Sequence, residues 1–136
     1  MEYLVLDTDV ASHLQRGSLP LPLQEHVRGK ITCVTFVTVG EFFKGAFKRG
    51  WSERRIQELE AWLRNVVVLP YTGEISRVWG RVCAECEAKG QPIAPNDAWI
   101  AACCLSHALP LMTLNRRHFE RVAGLQLVPL APESSG

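Results

Sequence analysis

Three carboxylates in this 136-residue chain stand where an acidic side chain is hard to explain as surface decoration. Asp7 ends the stretch "YLVLD", whose first four residues are apolar or aromatic and read as a buried strand, poor company for a charge. Asp97 opens "PNDAWIAACCLSHAL" (95–109), where Ala98 to Leu105 carry no charged residue; a helix apolar nearly all round is a buried helix. An acid in the first turn also gains about 0.3–1 kcal/mol from the helix dipole, so Asp97 taken alone has an ordinary structural reading as well. Glu41 lies in "TFVTVGEFFKGAFKRG" (35–50), where Val39, Phe42, Phe43, Ala46 and Phe47 define the expected buried face. Glu41 falls opposite, beside Lys44 and Lys48. Periodicity alone reads it as part of a surface Glu–Lys pair; the alternative is that this face walls a cleft.

Carboxylates that converge repel one another, and a hard divalent cation is the usual way to hold them together. Mg²⁺ or Mn²⁺ bound by few carboxylates keeps several waters, which can be activated against a phosphodiester. Other chemistries lack their core motifs: there is no His-Glu-x-x-His, no phosphate-binding P-loop and no Gly-x-Ser-x-Gly. Cys83 and Cys86 form a C-x-x-C, but Ile75, Val78, Trp79, Val82, Cys83 and Cys86 make one helical stripe, and cysteine behaves there as a small hydrophobe. No second ligand pair follows at zinc-site spacing.

The elements that must position these acids alternate along the chain. Apolar runs at Tyr3–Leu6, Ile31–Thr35, residues 66–70, Leu111–Leu114 and Leu125–Pro129 read as strands. Helical periods separate them, one from Asp9 to Gln15 closed by Gly17, others from Val37 to Lys48, after a Ser52 cap, after a Thr72 cap, from Asn96, and from Arg116 to Val122. Strands separated by helices imply crossover connections. The expected fold class is therefore α/β, one domain over residues 1–130, with a mostly parallel sheet of about five strands covered by helices on both faces. The tail "APESSG" (131–136) is expected to fray.

Hydrophobic residues make up 47% and charged residues 21%, as in ordinary globular domains and against disorder. A net charge of +1 requires any nucleic-acid binding to come from a local basic patch. With a strand starting almost at Met1 there is no signal-peptide pattern, no apolar run approaches membrane-spanning length, and the five cysteines suggest no disulfide framework. The expected compartment is the cytoplasm, with no membrane partner.

Four segments, "YLVLDTDVAS", "TFVTVGEFFKG", "PNDAWIAACC" and "PLMTLNRRHFERVAGLQLVPL", resemble, in order and spacing, the PIN domain. More specifically they are similar to the small VapC-type toxins of toxin–antitoxin pairs. The resemblance implies a Mg²⁺- or Mn²⁺-dependent endoribonuclease, an RNA substrate, a VapB-type antitoxin and a homodimer. It carries the family's acids onto Asp7, Glu41 and Asp97, which would hold the metal, and it turns the Glu41 face with Lys44 and Lys48 into the RNA cleft. Where many relatives have a fourth acid, this chain has Asn115, two residues after Thr113; asparagine offers an oxygen without a charge. Lys44, Lys48 and Arg116 are the leading candidates for phosphate contacts, with Arg49, Arg54, Arg55 and Arg117 behind them. Thr113 and Asp9 are supporting residues, Asp9 being expected as the N-cap of the first helix, so that Asp7 is the ligand and Asp9 the cap.

Two other readings stand beside this one. A non-catalytic PIN-like module binding RNA or protein is compatible with the missing fourth acid. An aspartate-nucleophile phosphatase is suggested by Asp7-x-Asp9 after a first strand, but Asp97 stands alone after Asn96 where that chemistry needs an acidic pair, and the chain leaves little room for a cap domain.

Overall fold

A computed structural model describes residues 2–130. The chain runs β1 (Tyr3–Leu6), α1 (Thr8–Gln15), α2 (Leu21–Val27), β2 (Ile31–Thr35), α3 (Phe36–Lys48), α4 (Glu53–Leu63), β3 (Val67–Leu69), α5 (Gly73–Ala88), α6 (Pro95–His107), β4 (Leu111–Met112) and α7 (Arg116–Glu120). All strand pairs are parallel, in the order β3-β2-β1-β4.

Strand alternation builds two cores. Val5, Cys33 and Leu111 face one cluster, packed with Ile75, Val82 and Cys86 of α5 and with Ala98 and the buried run Ile100–Cys104 of α6. Their neighbours Leu4, Leu6, Val34 and Met112 face the other, with Val10, Ala11 and Leu23 of α1 and α2. A period of two along strands buried on both sides produces this division. The cysteine stripe of α5 is part of the first core, and all five cysteines are free. Ser52 and Thr72 cap α4 and α5 as expected, accepting from the backbone N–H of Arg55 and Ile75.

The sheet has four strands among the described residues, not about five. Leu125–Pro129 makes a single parallel bridge, Leu127 to Leu111, through Leu111 N–H to Gln126 O and Val128 N–H to Leu111 O, both 2.9 Å. β4 is only two residues long, so there is little ladder to extend, and Pro129 has no N–H to offer. The expectation for 131–136 lies outside the described residues.

The buried face of α3 is also rotated from the expected one. Thr38 and Ala46 are fully buried, whereas Phe47 is 68% exposed and stacks on Phe43 at 6.3 Å on the outside. Thr38, Glu41, Phe42, Gly45 and Ala46 form the inward stripe, and Glu41 sits in its middle, half-buried. Val39, Phe42 and Ala46 pack inward as expected, but Phe43 and Phe47 drew the expected face the wrong way; polar Thr38 and Glu41 go inside because other polar groups meet them there.

Candidate active site

The order 3-2-1-4 makes the chain reverse direction across the sheet between β1 and β4, and ligands bind beyond the carboxyl ends of strands at such a switch point. Asp7 follows β1 and Thr113 follows β4, and the two are joined across it. Thr113 Oγ1 donates to Asp7 Oδ2 at 2.5 Å, while Asp7 Oδ1 accepts from the Val10 backbone N–H at 3.0 Å. Asp7 is therefore the N-cap of α1, which begins one residue earlier than expected. Asp9 does not cap: it is exposed in the first turn, and its Oδ2 accepts from Asn115 Nδ2 at 3.1 Å. The reason is spacing. The strand ends at Leu6 and the helix starts at Thr8, so the only residue in cap position is Asp7.

Asp7 is 4% exposed, and burial pushes its carboxyl up to about 6, against the lowering effect of the Thr113 and Val10 hydrogen bonds; Asp9 and Asp97 add repulsion. Asp97 lies in the first turn of α6, which opens with Pro95 rather than Asn96. Burial raises the Asp97 carboxyl as well, His118 opposes that, and Glu41 and Asp9 reinforce it; His118 Nδ1 stands 3.5 Å from Asp97 Oδ2. Glu41 Oε1 accepts from Thr8 Oγ1 at 2.6 Å and its Oε2 from Asn96 Nδ2 at 3.3 Å. Because Thr8 spends its one proton on Glu41, Thr38, 2.9 Å away, donates to Thr8, completing a relay from the buried helix face to the carboxylate. Thr113 Oγ1 in turn accepts from Asn115 N–H at 2.9 Å.

Four acids, Asp7, Asp9, Glu41 and Asp97, thus share one sheet edge and one electrostatic field, and none forms an ion pair with lysine or arginine among the described residues. The donor set is all oxygen, which suits a hard cation. Among the described residues no three His, Cys, Asp or Glu side chains are gathered tightly enough to enclose an ion themselves. Such a set fits an ion that keeps much of its water, as Mg²⁺ does.

Beside the acids a cleft of about 250 Å³ runs between α1 and α3, lined on one wall by Glu41, Lys44 and Lys48 and joined by Arg16 and Arg49. Arg116 is employed elsewhere. Its Nη1 donates to Val128 O at 2.7 Å and its Nε lies 3.8 Å from Glu120, so its guanidinium holds the C-terminal segment. Arg54 pairs with Glu58, and Arg55 lies over the Trp51 ring. Thr8, Thr38, Asn96, His118 and Arg16 are contacts that reading the sequence did not pick out. Asn96 immediately before Asp97, and Thr8 between two aspartates, were the available signals.

Scanned against protein families, residues 4–125 match the PIN domain. The chain belongs to the PIN-domain family. This PIN domain is 32% identical over 123 residues to Ribonuclease VapC2 of Haemophilus influenzae, spanning 90% of this chain and 93% of the relative. It is 35% identical over 125 residues to the tRNA(fMet)-specific endonuclease VapC of Shigella flexneri, with the same shares covered. Among solved structures, a chain of DNA-bound VapBC from Salmonella typhimurium superposes with a TM-score of 0.84 at 28% identity, over 94% of this PIN domain and 98% of that chain. No helix among the described residues is long and apolar enough to cross a membrane.

Proposed function

We propose that this PIN domain is an endoribonuclease, the toxin of a toxin–antitoxin pair, hydrolysing RNA phosphodiester bonds with Mg²⁺ or Mn²⁺ in the cytoplasm. The observation that carries this reading is the cluster of carboxylates at the switch point, none paired with lysine or arginine among the described residues, of which Asp9 and Glu41 also line a cleft walled by Lys44 and Lys48. Asp7, Asp97 and Glu41 would hold the cation, with Asn115 acting through Asp9. When bound there, such an ion neutralises phosphoryl charge and makes a water acidic enough to attack phosphorus near neutral pH. The protein's part is arrangement. Thr113 fixes the Asp7 carboxylate, Thr8 and Asn96 fix the two oxygens of Glu41, and Asn115 turns Asp9 toward the same edge. Lys44 and Lys48, with Arg16 and Arg49, draw the ribose-phosphate backbone along the cleft. A VapB-type antitoxin is the partner that the VapBC neighbour supports, and a second copy of this chain is the other partner in this reading.

The test is cleavage of total RNA by the purified protein with Mn²⁺ and with chelator. Cleavage in Mn²⁺ alone, leaving 5′-phosphate ends, is expected, with a loss of about 100-fold or more in Asp97→Asn. A thermal shift on adding Mn²⁺, present in the wild type and absent in Asp97→Asn, provides a readout independent of activity. Undiminished cleavage by both Asp7→Asn and Asp97→Asn would overturn the assignment. Failure of Mn²⁺ to bind, with RNA binding retained, would favour the non-catalytic module.

A further inference from the structure

The carboxyl edge of the sheet carries a second group of side chains that the acid cluster does not use. Phe36 follows β2, Tyr71 follows β3, and Trp99 lies two residues beyond Asp97 on α6. Trp79 of α5 stacks on Trp99, with centroids 4.7 Å apart and planes 17° from parallel. Phe36 meets Tyr71 edge-on at 5.9 Å and Trp99 at 6.0 Å, and Tyr71 meets Trp99 at 6.4 Å. Phe36, Trp79 and Trp99 are half-buried against the core, which fixes them. Tyr71 is 54% exposed and, among the described residues, has no ring stacked parallel on it. The polar ends are already occupied: Tyr71 Oη and Ser76 Oγ are 2.6 Å apart, and Trp79 Nε1 donates to Pro95 O at 3.3 Å. What this cluster offers outward is a held aromatic face.

Its position suggests what the face is for. The strand order places the end of β3 two strand positions from the end of β1, about 10 Å along the edge, and Tyr71 follows the one as Asp7 follows the other. The helices that carry Glu41 and Asp97 also carry Phe36 and Trp99, so acids and rings share the same two supports. The cationic cleft lies on the α1 side of the acids and the rings on the α5 side. We propose that Tyr71, backed by Phe36, Trp99 and Trp79, is the surface on which an unpaired base adjoining the cleaved phosphodiester stacks. This inference rests on the nuclease reading and adds how the substrate strand is positioned. Every base has a π face, so the contact selects single-stranded or looped RNA rather than a sequence. One projecting ring suits a base, whereas a stable contact between protein copies needs about 800 Å² on each side.

The test measures binding in EDTA by the full chain, using a short unstructured RNA of mixed sequence and an abasic chain of equal length. Tyr71→Ala and Tyr71→Leu are expected to weaken the mixed-sequence RNA by about tenfold or more while leaving the abasic chain unchanged, and Tyr71→Phe to bind within about twofold of wild type. Circular dichroism and melting verify that each variant folds; Tyr71→Leu keeps the bulk of the side chain without its π face. With Mn²⁺, KM should rise in the same proportion with kcat little altered. Wild-type affinity in both Tyr71→Ala and Tyr71→Leu would overturn the proposal. An equal loss on the abasic chain would overturn it too, as would a loss that follows dissociation of copies in sedimentation. RNA binding with the expected dependence on Tyr71 but no cleavage leaves the stacking surface standing and removes the nuclease reading. Cleavage indifferent to Tyr71 does the reverse.

Discussion

Asp7 is asked to be three things: the end of a strand, the cap of a helix and a member of an acid cluster. Its cost can be measured. Its carboxyl is pushed up to about 6 from a model-peptide value near 3.8, so between those values the native chain binds more protons than the unfolded one. Stability from this group is therefore fullest below about pH 4 and falls as pH rises through 6, by on the order of 3 kcal/mol without a divalent ion. Asp7→Asn, which keeps an oxygen for the Val10 N–H, should be more stable than wild type at pH 7.5, and the gap should close near pH 4; urea denaturation at the two pH values measures it. An unchanged gap would mean that Asp7 is not held at a cost. Thr113→Val removes the hydrogen bond that mitigates this cost and should destabilise by about 2 kcal/mol, whereas Thr113→Ser should not. Residue types marked Asp7 and Asp97, because carboxylates beside apolar runs are conspicuous; periodicity read Glu41 as surface, and the family resemblance was needed to turn it toward the cleft. Thr8, Thr38 and Asn96 were not marked, since a hydroxyl or amide becomes telling only when tertiary packing delivers its partner.

At the scale of elements, alternation within the strands was legible because both faces are buried and leave a period-two division between cores. The rotation of α3 was not: Phe43 and Phe47 look like core, and only the approach of Thr8 and Asn96 explains why Glu41 turns inward instead. The fifth strand failed for a similar reason, since the sequence shows an apolar run but not the two-residue partner it must pair with. One helix end is strained. Ala108, the C-cap of α6, sits at φ 53°, in the left-handed region that costs a residue with Cβ about 1–2 kcal/mol. Ala108 is exposed, so its methyl group gives little packing in return. Ala108→Gly should raise the melting temperature by a few degrees, corresponding to about 1 kcal/mol, without changing RNA cleavage; calorimetry checks both sign and size.

For the molecule as a whole, a net charge of +1 gives no long-range attraction for RNA, so attraction must be local. Arg16, Lys44, Lys48 and Arg49 line one cleft together with Asp9 and Glu41 of the acid cluster. RNA affinity should therefore fall with salt, and replacing Lys44 and Lys48 together by alanine should flatten the log–log slope by about 1.4, two single-strand phosphate contacts at about 0.7 each. An unchanged slope would place the backbone elsewhere. The strand order 3-2-1-4, which makes the switch point, could not be read from the chain: helical periods between strands imply crossovers but not which side of β1 each one returns to.

The backbone N–H of Val10 points at one oxygen of Asp7 while Thr113 holds the other. Anything that changes the charge on that carboxylate must change the polarisation of this single amide. Val10 lies in the core, out of contact with solvent, so its nitrogen and proton resonances form a natural voltmeter: protonation, cation arrival and cation loss should each move this one cross-peak, with no label placed in the acid cluster itself.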